Sequence, residues 1–150
     1  MDSFQDLSRF LLPQQTAYPR ALEELSNGRK VSHWMWYIFP QLRGLGQSNT
    51  AWYYGIEDLG EAGAYLAHPV LGQRLRRITR VLMELPQTDP VEIFGWTDSA
   101  KLRSCMTLFS LSGEDPLFVQ VLEKFYAGEK DELTLRQLRG KEHGNDQHIG

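Results

Sequence analysis

The polar residues best placed for chemistry lie inside an aromatic stretch at residues 29–48. Four of them recur at the spacings of three and four residues that mark one helical face: Lys30, His33, Tyr37 and Gln41. A helix over residues 30–39 would carry the first three on one side, and the fourth would follow the proline that ends the helix. The other positions are apolar, and a helix that is apolar nearly all round is typically buried. We therefore predict a buried helix with one polar side.

This polar side has two interpretations. Buried polar side chains usually find hydrogen-bond partners, so the four residues could simply hold neighbouring backbone together. Alternatively, they line a pocket with aromatic walls and a few polar groups, which is the usual composition of a small-molecule site. Trp34 or Trp36 would then stack on a ring of a small polar or nucleotide-like ligand, and His33 would serve as acid, base or donor. Gln41 and Ser48 would orient that ligand.

A second polar group lies at Asp98 and Lys101, three residues apart at the start of a predicted helix. Asp98 could cap that helix while the lysine extends along its surface to solvent. Alternatively, one of the two charges faces the aromatic stretch, where Lys101 and Lys30 would hold an anion. The candidate binding residues are therefore Lys30, His33, Trp34, Trp36, Tyr37, Gln41, Ser48, Asp98 and Lys101. His33 is the catalytic candidate, but the sequence identifies no reaction and leaves enzymatic activity open.

Several other functions have little support in the sequence. No dinucleotide fingerprint, Walker motif or nucleophile elbow occurs, so we expect no cofactor. His143 and His148 lack cysteines and a rigid frame around them, so we expect no metal site. Cys105 lies on an apolar helical face, where burial should leave its thiol inert.

A basic group on one predicted helix is the basis of a second function class: Arg74, Arg76, Arg77 and Arg80. A solvated helix face explains such a group. Alternatively, it meets an acidic partner or phosphate. In that case the chain is a non-catalytic protein-interaction module, and the aromatic residues at 29–48 are structural core.

Composition indicates a folded, mildly acidic globular protein. The chain has 150 residues, 41% of them hydrophobic and 11% aromatic, which is enough for one domain with a sizeable core. A mean hydropathy of −0.41 and the lack of a long apolar run argue against a membrane span. The net charge of −3 gives no general attraction for nucleic acid. The single cysteine and the polar N-terminus predict a cytoplasmic location.

The remaining pattern is helical. Pro13 and Pro19 are predicted to split or kink the first helical stretch into a short helix and a second one that begins near Pro19. Asp58 begins a capping box, and residues 71–85 form a clear amphipathic helix. Residues 91–94 could form a short strand or one helical turn, and we favour the turn because no partner strands are evident nearby. Because period-2 alternation is missing, we predict an all-α fold of about six or seven helices, with one domain at residues 1–139 and a disordered tail at 140–150.

Nearly the whole chain resembles one bacterial and fungal family. The most specific segment is the His-Trp-x-Trp-x-x-Phe-Pro-Gln motif at residues 33–41. Supporting segments lie at residues 28–32, 44–48, 61–75 and 93–109. The chain is similar to an uncharacterised domain family whose members often carry the misleading label calpastatin. The resemblance implies a single compact all-α domain and brings no established activity, substrate or cofactor.

Overall fold

The computed structural model describes the backbone of residues 6–149 and the side chains of residues 6–141. That part of the chain forms eight α-helices: α1 (Ser8–Ser26), α2 (Met35–Ile38), α3 (Asn49–Tyr53), α4 (Leu59–Ala67), α5 (Leu71–Glu84), α6 (Pro90–Ser110), α7 (Leu117–Tyr126) and α8 (Glu132–Ile149). Within residues 6–149, β pairing is limited to one isolated parallel bridge between Leu42 and Ile56. The all-α prediction is confirmed. Since α2 and α3 have only four and five residues, six longer helices carry the packing.

The two helices α5 and α6 form the centre of one compact domain. α6 packs against α4, α7 and α8, while α5 packs against α1, α4 and α7. The buried face of α5 is the predicted apolar face and includes Leu71, Leu75, Ile78 and Leu82. In α6, the ring of Phe109 contacts Tyr65 of α4 at 5.4 Å and Phe118 of α7 at 5.8 Å between centroids. Burial of each such side chain contributes about 1.5–3 kcal/mol relative to exposure.

The first helix is continuous, so the predicted division at its prolines is wrong. α1 contains both Pro13 and Pro19. Each proline removes one backbone donor from the helix. The buried face compensates for this loss, because it packs the following side chains into the core: Phe10, Gln14, Tyr18, Ala21 and Leu25.

Arg9 fastens the start of α1 to α4. Its Nη2 lies 2.9 Å from Oε1 of Glu61, and both side chains are buried. The same guanidinium donates to the carbonyls of Tyr53 and Gly55, each at 2.9 Å. Asp58 caps α4 as predicted, because its Oδ1 accepts the backbone N–H of Glu61 at 2.9 Å. Arg9 therefore has a structural role, and its charge is compensated by Glu61.

The predicted helix over residues 30–39 is wrong, because only the single turn α2 is helical there. Residues 29–34 form a loop instead. A carboxylate on α1, that of Glu24, accepts the backbone N–H groups of Val31 and Ser32 at 2.8 and 2.9 Å. Those donors are therefore occupied by a side chain rather than by a helical turn. Lys30 and His33 do not share a helical face with Tyr37.

The sixth helix is two helical pieces joined at Gly95. That glycine has φ 80° and ψ 171°, a conformation that residues with side chains rarely adopt. Residues 91–94 form a helical turn before it, as predicted. The helix is capped by Asp89, whose Oδ1 accepts the N–H of Val91 at 2.9 Å. Asp98 lies inside α6, so its predicted capping role is wrong.

At the C-terminus, the backbone of α8 continues to Ile149. The side chains of residues 142–150, including His143 and His148, lie outside the described part. Disorder of the tail therefore stays a prediction. Among the helices described, none combines the length and apolar character needed to cross a membrane.

Candidate functional site

A single carboxylate positions the start of the aromatic stretch. Besides the two backbone donors of the loop, Glu24 accepts the Ser32 hydroxyl at 2.6 Å and the Trp34 indole N–H at 2.9 Å. Burial alone would raise the pKa of Glu24, but the hydrogen bonds from Ser32, Val31 and Trp34 outweigh it and hold the pKa at about 2. Glu24 is therefore ionised near neutral pH and fixes the loop that carries His33.

The loop and α1 enclose an open groove, which we call the α1 groove. Its volume is about 580 Å³, within the 300–1,000 Å³ range of small-molecule sites. One wall is a face of α1, and the other is the segment from residue 31 to residue 37. The lining residues are Pro13, Thr16, Ala17, Arg20, Val31, Ser32, His33, Trp34 and Tyr37.

The α1 groove combines apolar and aromatic side chains with two basic ones. Arg20 supplies a permanent positive charge, His33 supplies an imidazole, and the lining includes no carboxylate. Within the described chain, neither Arg20 nor His33 forms an ion pair with an acidic side chain. The Tyr37 hydroxyl donates to the His33 carbonyl at 3.3 Å. Burial raises the pKa of Tyr37, so its phenol stays protonated at neutral pH.

Trp34 offers little surface for the predicted stacking. It is only 1% exposed, and its indole N–H is bound to Glu24. Lys30 lies over its ring, with Nζ 4.9 Å from the centroid. The stacking surface of the α1 groove therefore comes from Tyr37, which is partly exposed.

A second opening, the Trp36 cleft, gathers three other candidates, Trp36, Gln41 and Lys101, beside Ala51 and Tyr54. Nζ of Lys101 lies 5.4 Å from the centroid of the Trp36 ring. The volume of this cleft is about 10 Å³, which is roughly the room that one water molecule needs. The cleft is thus too small for a ring in this conformation.

The two predicted polar groups meet through an ion pair. Nζ of Lys30 lies 2.8 Å from Oδ2 of Asp98, and its side chain is 7% exposed. It also donates to the Ser32 carbonyl at 2.7 Å. Lys101 lies 3.8 Å from the other oxygen of Asp98. These contacts connect the loop to α6 and leave Lys30 with its charge compensated.

The nine predicted residues therefore do not form one site in the structure. His33, Trp34 and Tyr37 line the α1 groove, while Trp36, Gln41 and Lys101 line the Trp36 cleft. Lys30 and Asp98 pair beside them. Ser48 caps α3, where its hydroxyl accepts the N–H of Ala51 at 3.0 Å.

The residues of α1 that line the groove were not predicted from the sequence as site residues. They recur at the spacing of one helical face, i, i+3, i+4 and i+7: Pro13, Thr16, Ala17 and Arg20. That spacing could have shown a partly polar face on a helix. The predicted break at the prolines concealed it.

Two of the four arginines of the predicted basic face have partners inside the fold. Arg76 pairs with Asp115 at 2.9 Å and donates to the Leu66 carbonyl. Arg74 lies over the ring of Tyr18, with its guanidinium carbon 5.3 Å from the centroid. Arg77 and Arg80 are exposed. The basic face is therefore smaller than the sequence suggests.

Other features match ordinary structural roles. Cys105 is fully buried, and burial raises the pKa of its thiol well above the usual value, in agreement with an inert cysteine. Among the described side chains, no group of three or more His, Cys, Asp or Glu residues is arranged to hold a metal ion.

Comparison with known proteins gives two matches to this chain. The family model described as "Protein of unknown function (DUF1810)" matches residues 4–138. The crystal structure of the conserved hypothetical protein Rv1873 from Mycobacterium tuberculosis is 46% identical, with a TM-score of 0.87. The match covers 89% of this chain and 96% of that one. The curated proteins give no match.

Proposed function

The chain belongs to the DUF1810 family of proteins of unknown function, and we propose that it binds a small organic anion carrying a flat ring, such as a nucleotide-like molecule, in the α1 groove. One observation carries the proposal. The groove combines the volume of a ligand site with Arg20 and His33 at an apolar, aromatic surface, and its lining contains no carboxylate.

The charge of the groove favours an anion. An arginine without an acidic partner can bind a carboxylate or phosphate through two parallel N–H donors. The imidazole of His33, which also lines the groove, would add a third N–H donor. The nearby Glu24 carboxylate opposes an anion, but four hydrogen-bond donors already surround its oxygens.

The apolar part of the ligand would lie between Tyr37 and the helix. Tyr37 presents an aromatic ring, while Pro13 and Ala17 of α1 form the opposite wall. Offset stacking on a tyrosine contributes about 0.5–1.5 kcal/mol beyond the buried area. Trp36, Gln41 and Lys101 line the separate Trp36 cleft and would not contact this ligand.

The proposal is for binding rather than for a reaction. His33 lines the groove, but no side-chain hydrogen bond orients its imidazole within the described chain. General acid–base catalysis needs a base held within hydrogen-bond reach of the group it deprotonates. A catalytic role for His33 therefore has no supporting contact.

Thermal unfolding in the presence of matched probes tests the proposal. The probes are benzoate and adenosine 5′-monophosphate, each compared with its uncharged counterpart, benzyl alcohol or adenosine. At tenfold excess over Kd, a ligand stabilises the native state by about 1.4 kcal/mol and raises Tm by about 3–5 °C. We expect the anions to raise Tm and the uncharged probes to have a smaller effect.

Three variants locate the binding. Arg20→Ala and His33→Ala should abolish most of the anion effect with little change in Tm without ligand, because both side chains are exposed. Arg80→Ala removes an exposed arginine from α5 and should leave the effect intact. The proposal fails if the anions leave Tm unchanged, or if Arg80→Ala weakens the effect as much as Arg20→Ala.

A further inference from the structure

We propose that the ligand of the α1 groove is an elongated amphipathic carboxylate whose apolar end passes Pro13 and occupies a second depression. This inference rests on the proposed function and adds the class of ligand. The second depression, which we call the tyrosine depression, has a volume of about 400 Å³. Its lining residues are Ser8, Arg9, Leu11, Leu12, Pro13, Gln15, Tyr53 and Tyr54.

The two openings meet at Pro13, which lines each of them. On the opposite side, Tyr37 of the α1 groove lies 5.2 Å from Tyr54 of the tyrosine depression, and Tyr54 lies 4.8 Å from Tyr53. These ring contacts connect the lining of the α1 groove to that of the tyrosine depression.

Polarity changes along this path. The α1 groove holds the uncommitted charge of Arg20. In the tyrosine depression, Leu12 is 71% exposed and Tyr53 is 55% exposed. The charge of Arg9 there is already bound to Glu61 and to three carbonyls. A ligand that matches both openings is therefore anionic at one end and apolar at the other.

The length of the path sets the length of the ligand. Leu12 and Arg20 are eight residues apart on α1, which corresponds to about 12 Å along the helix axis. A benzoate ring with its carboxylate covers roughly half of that distance. The remaining half corresponds to a short apolar tail opposite the carboxylate.

A homologous series measures the contribution of the tail. Binding of benzoate, 4-ethylbenzoate and 4-butylbenzoate would be followed by NMR titration of the full-length protein. Full burial of a methylene improves Kd about fourfold, so burial of half its surface should improve Kd about twofold. We expect 4-butylbenzoate to bind at least tenfold more tightly than benzoate.

A variant in the second opening locates the tail. Leu12→Gln replaces an exposed apolar side chain with a polar one and should weaken 4-butylbenzoate about threefold to fivefold while leaving benzoate unchanged. Leu133→Gln is the matched control, because Leu133 is 59% exposed on α8 and lines neither opening. It should change neither affinity.

The outcomes separate the two proposals. If benzoate binds through Arg20 but tail length has no effect, the elongated ligand is refuted and the α1 groove still stands. Equal losses for benzoate and 4-butylbenzoate in Leu12→Gln would also refute it. If no member of the series binds, or if Arg20→Ala weakens none of them, both proposals fail.

Discussion

Replacing Glu24 by glutamine should destabilise the protein and remove part of its pH dependence. Glutamine keeps the shape of the side chain, and its carbonyl can still accept the N–H groups of Val31, Ser32 and Trp34. The substitution therefore removes the negative charge with little change in packing. Hydrogen bonds to a charged acceptor are stronger than those to a neutral one, so the loop at residues 29–34 should be held less firmly.

The expected loss of stability in Glu24→Gln follows from the pKa of Glu24. The pKa of Glu24 is about 2 in the folded protein, against 4.5 for an unperturbed glutamate. This difference corresponds to about 3 kcal/mol at neutral pH, and partial exposure of the side chain reduces it to about 2 kcal/mol. Because the folded-state pKa is lowered, the stabilisation is complete above pH 4.5 and is lost as pH falls from 4.5 towards 2.

Urea denaturation at several pH values provides the assay. At pH 7, Glu24→Gln should unfold with a free energy about 2 kcal/mol lower than that of the parent protein, and the difference should shrink towards zero near pH 2. Glu23→Gln is the control, because Glu23 is the exposed neighbour on α1. Equal stability of Glu24→Gln and the parent at pH 7, or a difference that persists unchanged to pH 2, would refute the role given to Glu24.

Three further substitutions test other parts of the fold. Arg9→Lys should lower the free energy of unfolding by about 3 kcal/mol, because one ammonium cannot replace the bonds to Glu61 and three carbonyls. Urea denaturation would show this, and a loss below about 1 kcal/mol would contradict it. Lys30→Met should cost about 2 kcal/mol by leaving Asp98 without its closest partner, and adding Asp98→Asn should recover part of the loss in a double-mutant cycle. Gly95→Ala should cost about 1–3 kcal/mol in thermal unfolding from backbone strain alone, since nothing lies within 4 Å of an added Cβ. A much larger loss would mean that the added methyl group meets a neighbour.

The parts of the fold that sequence predicts well depend on local patterns. The amphipathic face of α5 repeats over four turns, so its burial against the core follows from helical periodicity. Asp58 caps α4 through an N–H three residues away, which is also a local contact. Such features need no knowledge of distant segments.

The loop at residues 29–34 could not be predicted in the same way. Its helical spacing is real, but the Glu24 carboxylate binds the N–H groups of residues seven and eight positions later. That contact competes with the helix and depends on how the chain turns back along α1. Similarly, the buried contacts of α1 offset the cost of Pro13 and Pro19, and that compensation belongs to tertiary packing.

The candidate site also depends on contacts between segments that are distant in sequence. The aromatic stretch correctly drew attention to residues 33–37, but a groove needs two walls. The wall formed by Pro13 and Arg20 precedes residues 33–37 by 13–24 positions in sequence and meets the stretch only after the chain has folded. The division of the nine predicted residues between two openings likewise follows from the short α2 turn.

Backbone amide NMR during a benzoate titration is the most direct test of the α1 groove as a ligand site. We predict shift changes concentrated at the groove-lining segments, residues 14–18 and 20 of α1 and residues 31–34 and 37, and these changes should be lost in Arg20→Ala. The cleft residues Gln41, Ala51 and Lys101 should respond only weakly. Saturable changes centred on the Trp36 cleft, or no saturable change in the α1 groove, would contradict the account.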